Sequence, residues 1–125
     1  MHRSRTGVVL IDIAEDSYEA SLDFWSTAAG KVAIPEPGAF YAHMGQLGEG
    51  VNFEMQRTGA GSPPRIHLDV ESDNVTAEVS RLQTAGATVH EPRDGYVIIR
   101  DPDGLAFCVV GVQTDNFDAS AATWS

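Results

Sequence analysis

Apolar positions along this chain fall into short β-type runs and two helical stretches, and their order occurs twice. Gly7-Val8-Val9-Leu10-Ile11-Asp12-Ile13 is apolar and β-branched, the pattern of a largely buried strand. Asp16 then offers a helix N-cap with Glu19 three residues on, a capping-box spacing that satisfies the open amides of a helix start. Tyr18, Leu22, Trp25 and Ala29 recur at spacings of four, three and four and so share one helix face. Gly30 suits the left-handed residue that closes a helix. Strands are predicted at 31–34, 39–44 and 51–56, separated by Pro35-Glu36-Pro37-Gly38 and by a loop at 45–50.

The second half runs in the same order. A strand is predicted at 65–70, Asp73 or Asn74 caps a helix with the apolar stripe Val75, Val79 and Leu82, and Gly86 stops it. Strands follow at 88–90, 96–100 and 105–112. Asp101-Pro102-Asp103-Gly104 reads as a hairpin turn, because Pro102 presets φ and Gly104 tolerates positive φ. At an offset of 57 residues Asp12 meets Asp69, Asp16 meets Asp73, Leu22 meets Val79 and Trp25 meets Leu82. Element order, capping position and apolar face all repeat together. The expectation is one α+β domain over 1–113, built of two βαβββ modules at 7–57 and 65–113 joined by a linker at 58–64. The tail, 114–125, is small, polar and acidic and reads as a frayed terminus; docking onto a partner subunit through Phe117 and Trp124 is the alternative. His2 is placed in a mobile terminus.

Charge narrows the function classes. Eight basic residues stand against 18 acidic ones in 125, a net charge of −10. Such a field repels nucleic-acid backbones and anionic membranes and would attract a cationic small molecule. No apolar run approaches the roughly 20 residues of a membrane span, and the apolar stretch behind the basic first residues is too short for a signal peptide. Cys108 is the only cysteine, which excludes an internal disulfide and a four-cysteine zinc site and fits a reducing compartment. The protein is accordingly expected in the cytoplasm. No dinucleotide fingerprint, phosphate loop, nucleophile elbow or His-Glu-x-x-His motif occurs.

Three stretches carry a family likeness: Arg65-Ile66-His67-Leu68-Asp69-Val70, the helix end Leu82-Gln83-Thr84-Ala85-Gly86-Ala87-Thr88-Val89, and Asp101-Pro102-Asp103-Gly104-Leu105-Ala106-Phe107-Cys108-Val109-Val110. With Leu22-Asp23-Phe24-Trp25 in the first half, the sequence resembles the glyoxalase/bleomycin-resistance/extradiol-dioxygenase superfamily, the vicinal oxygen chelate proteins, and within it the small glyoxalase-like domains. The resemblance covers residues 7 to 112. It implies paired βαβββ modules forming a curved mixed sheet around a cleft, and homodimers. It also implies a divalent metal (zinc, nickel, manganese or iron) that chelates adjacent substrate oxygens and acts as a Lewis acid.

By that resemblance the four ligand positions fall on Leu10, Glu54, His67 and Cys108. Leucine offers no lone pair, so a closed four-ligand site is excluded there. Glu54, His67 and a Cys108 thiolate make a three-ligand alternative, against which Cys108 lies in an apolar strand where cysteine commonly behaves as a small hydrophobe. Strand alternation groups His67, Asp69 and Glu71, and separately Asn52, Glu54 and Gln56. Glu54 and His67 are the candidate catalytic and metal-binding pair; Asp12, Asn52, Asp69 and Cys108 are candidate ligand contacts, the two aspartates having an equally good reading as anchors for backbone amides. His43 and His90 are read as surface or hydrogen-bond-satisfied histidines and not as ligands. Two functions follow from the likeness. One is a glyoxalase-like enzyme with a degenerate metal site, of lyase, isomerase or dioxygenase type, with Glu54 as base and His67 as acid or ligand. The other is a non-catalytic protein that sequesters a cationic antibiotic of the bleomycin type.

Overall fold

A computed structural model describes residues 1–38 and 40–125; the predicted strand start at Ala39 lies outside them. The elements in chain order are β1 (His2–Ala14), a 3-10 turn (Glu15–Ser17), α1 (Tyr18–Ala29), β2 (Ile34–Pro35), β3 (Tyr41–Gly48), β4 (Val51–Thr58), β5 (Arg65–Ser72), α2 (Val75–Thr84), β6 (Thr88–Arg93), β7 (Tyr96–Arg100), β8 (Ala106–Gly111), α3 (Phe117–Ser120) and β9 (Ala122–Trp124). The βαβββ order appears twice, as the sequence pattern predicts, in an α+β fold of mixed sheet and few helices. By contacts the chain divides into two compact units, Val8–His67 and Met1–Gly7 with Leu68–Ser125. Both β1 and β5 run through the division.

In the first unit β1 pairs parallel with β4, which pairs antiparallel with β3, which pairs antiparallel with β2. One face of these strands packs on α1: Ile13, Tyr18, Leu22, Ala42, Met44, Phe53 and Met55 are buried together, with Trp25 and Ala29 against them. Each of the large apolar side chains among them contributes about 1.5–3 kcal/mol when fully buried, so the predicted helix face is what fastens α1. Its start differs from expectation. Asp16 lies inside the 3-10 turn, and Ser17 precedes the helix without a side-chain cap bond; a capping side chain needs an extended backbone just outside the helix. The end is as predicted, with Gly30 at φ +64 and the Lys31 amide on the Ser26 carbonyl at 3.0 Å. The predicted strand at 31–34 shrinks to Ile34–Pro35, and the Lys31 ammonium instead bonds the Gln46 carbonyl at 2.8 Å. Most of the expected loop at 45–50 is strand. The β3–β4 hairpin closes on Glu49-Gly50 with φ of +50 and +71, the positive-φ pair that a two-residue hairpin turn requires.

The second unit repeats this plan. β5 pairs parallel with β8, β8 antiparallel with β7, and β7 antiparallel with β6, while α2 buries Val79 against Ile99 and Val109. Asn74 is the cap: its side-chain oxygen accepts the Ala77 amide at 3.0 Å. Asp73 turns to Arg3 instead, accepting its amide at 2.8 Å. In the Asp101–Gly104 turn, Gly104 has φ +95 and the Asp101 carboxylate accepts the Asp103 and Leu105 amides at 2.9 and 2.8 Å.

Both chain ends correct the expectation. His2 is only 8% exposed and hydrogen-bonds the fully buried Glu78 at 2.7 Å, so it belongs to β1, not to a mobile terminus. The tail is ordered on its own chain. β9 pairs antiparallel with His2, Arg3 and Ser4, Phe117 is buried, and the Trp124 indole donates to Ser4 at 2.8 Å beneath the Arg81 guanidinium, 3.8 Å from its ring centre. The two aromatics that the sequence suggested for a partner are used internally. No described helix is long and apolar enough to cross a membrane.

Candidate functional site

The site follows from strand register. Val8 stands beside Asn52, Leu10 beside Glu54 and Asp12 beside Gln56, while across the next ladder His43 faces Glu54 and Tyr41 faces Gln56. Register partners point to one side of a sheet, the side opposite the Phe53–Met55 core under α1. Asn52, Glu54 and Gln56 therefore share a face as predicted, and Asp12, Tyr41 and His43 join it.

Glu54 is 14% exposed, and its Oε2 lies 2.9 Å from His43 Nδ1. The other ring nitrogen of His43 meets Glu36 at 3.1 Å, so the imidazole bridges two carboxylates. Burial pulls the His43 pKa down, but the hydrogen bond the ring donates to Glu36 and the charge of Glu54 outweigh this and hold the ring above its ordinary value. His43 is thus partly exposed and hydrogen-bonded at both ring nitrogens, the satisfied histidine that the sequence predicts; its pairing with Glu54 is set by strand register. Beside this pair, the Gln56 amide donates to the Tyr41 hydroxyl at 3.2 Å.

Asp12 is 1% exposed. Arg65 Nε donates to its Oδ2 at 2.8 Å, and His67 Nδ1 lies 3.6 Å from the same oxygen. Its Oδ1 is buried with no hydrogen-bond partner among the described residues. Burial opposes the charge, yet His67 and Arg65 hold the carboxyl below its ordinary range. Asp12 thus ties down side chains from β5 and not a backbone amide.

His67 and Asp69 stand two residues apart on β5, and β8 lays Cys108 beside Asp69 in register. An imidazole nitrogen, a carboxylate oxygen and the thiol all come within 4.8 Å of one another. Glu54 is not in this group, whereas Asp69, expected only as a ligand contact, is. The register explains the change: Glu54 sits beside Leu10, but Cys108 sits beside Asp69, two residues past His67. Glu71, next in the alternation, is fully buried and accepts the Gln113 and Thr114 amides at 2.8 and 3.0 Å, so it serves the fold. Leu10 is 2% exposed and supplies no donor.

A repeated βαβββ fold carrying a polar sheet face and a mixed nitrogen, oxygen and sulfur donor group defines a protein of the vicinal oxygen chelate type. A family model described as glyoxalase-like domain matches residues 8–110, and the chain belongs to that family. No curated protein matches it. Among solved structures it is similar to the Mn(II)-bound glyoxalase from Novosphingobium aromaticivorans (21% identity, TM-score 0.59, 89% of this chain and 40% of that one). It is also similar to an extradiol ring-cleaving dioxygenase from B. fuscum (13%, 0.59, 88% and 33%). A third is a glyoxalase/bleomycin resistance protein/dioxygenase superfamily member from Vibrio splendidus (13%, 0.54, 83% and 97%). The chain thus spans well under half of the first two proteins, and at these identities the likeness is one of fold.

A divalent ion is the group this family implies, and the donor chemistry fits one. Histidine, carboxylate and thiolate are all zinc and iron ligands, and three protein donors are the number that a site with an open position uses. The donors fit at His67, Asp69 and Cys108; they do not fit at Leu10.

Proposed function

We propose that this protein binds a small oxygen-bearing metabolite and acts on it with a divalent metal held by His67, Asp69 and Cys108. The observation that carries the reading is the approach of those three donor atoms to within 4.8 Å of one another. When bound, such an ion supplies Lewis-acid polarisation of a carbonyl or hydroxyl oxygen. Glu54 suits proton abstraction because it is largely shielded from water and lies in hydrogen-bond contact with His43, which orients one carboxylate oxygen. Asn52 and Gln56, on either side of Glu54 along β4, would hydrogen-bond the ligand's polar groups. A homodimer is part of the same proposal, checked by light scattering.

Cobalt(II) titration tests the metal. The expected result is a thiolate-to-cobalt charge-transfer band at one equivalent that is lost in Cys108→Ser; absence of any band in the wild-type protein overturns the reading.

A second reading, ligand sequestration without catalysis, is favoured by the apolar Leu10 at a family ligand position and by the net charge of −10. Calorimetric titration with a cationic glycopeptide antibiotic at low and high salt tests it, and no heat at low salt removes it.

A further inference from the structure

His67 presents one ring nitrogen to Asp12: Nδ1 stands 3.6 Å from Oδ2, within ion-pair reach. The carboxylate it faces is inaccessible to water, and Arg65 grips the same oxygen at 2.8 Å. Such a group is held in one direction, by the β1 backbone on one side and the guanidinium on the other. A neutral imidazole next to a fixed carboxylate oxygen places its proton on the near nitrogen, and the lone pair then resides on the far one. Metal-binding histidines are commonly oriented in this way by a carboxylate that never touches the ion.

We propose that Asp12 is a positioning residue that fixes the orientation and tautomer of His67, with Nδ1 carrying the proton and Nε2 the lone pair offered to the metal. The proposal rests on the metal reading above and adds a residue from the first strand to it. It also gives a reason for a charged side chain buried at the position next but one to Leu10, where an apolar residue would be easier to accommodate.

Two measurements test it. Zinc affinity by chelator competition is expected to fall about 10- to 100-fold in Asp12→Asn, with the circular dichroism spectrum unchanged. His67→Ala separates the two claims. If it leaves zinc affinity unaltered, the metal reading fails and takes this proposal with it. If it weakens zinc while Asp12→Asn does not, the role of Asp12 is overturned and the metal reading stands. The second measurement needs no variant. Long-range proton–nitrogen NMR on metal-free wild-type protein, at a pH where His67 is neutral, is expected to find the proton on Nδ1; a proton on Nε2 overturns the proposal.

Discussion

His43 and Glu54 face each other across the β3–β4 ladder with 2.9 Å between Nδ1 and Oε2. Because Glu36 takes the other ring nitrogen, the ring is favoured in its charged form and its pKa lies above the ordinary 6.5. A raised histidine pKa stabilises the fold fully below the unfolded value and loses that contribution as pH rises through the folded one. Glu54→Gln is expected to lower the His43 pKa, read by NMR titration. The stability difference between wild type and this variant should shrink between pH 6 and pH 9; a constant difference would show that the pair does not couple.

Glu78 gives the opposite sign. It is fully buried, and although burial raises its pKa, hydrogen bonds from Arg81, His2 and Ser4 bring it below the ordinary 4.5. Arg81 grips both carboxylate oxygens, at 3.0 and 2.7 Å. A depressed carboxylate pKa contributes stability above the unfolded value and loses it as pH falls through the folded one. Glu78→Gln should cost about 1.5–3 kcal/mol near neutral pH, measured by urea denaturation, and the difference from wild type should narrow below pH 4.5.

Gly7 is required by contact and not by backbone angle. A Cβ there would stand 2.5 Å from Glu71 Cδ and 2.7 Å from Oε1, and that carboxylate cannot swing away without releasing the Gln113 and Thr114 amides. Gly7→Ala is expected to destabilise the protein by about 1–3 kcal/mol, read as a lowered denaturation midpoint with unchanged slope. A neutral result would mean that Glu71 has room to move.

Local chemistry was legible wherever a short stretch decides its own conformation. The stripe from Tyr18 to Ala29, the left-handed Gly30, the Asn74 cap and the Asp101–Gly104 turn each depend on residues within a dozen positions, and the repeat of the halves follows from them. Contacts made across the whole chain were not legible. His2 and Ser4 are polar and look terminal, yet their partners Glu78 and Trp124 lie 76 and 120 residues away. The tail looked frayed because only two of its residues are large and apolar, and both insert into contacts that β1 and α2 supply. At the site, alternation grouped Glu54 with its strand neighbours and His67 with Asp69. The pairing of Cys108 with Asp69 and of His43 with Glu54 depends on register, which hydrogen-bond ladders and bulges fix and side-chain pattern does not.

X-ray absorption at the zinc edge of zinc-loaded protein tests the central claim most directly. One sulfur neighbour at about 2.3 Å, the Zn–thiolate distance, with nitrogen or oxygen completing the shell, is the predicted result. A coordination shell of nitrogen and oxygen alone, unchanged in Cys108→Ser, would contradict the account.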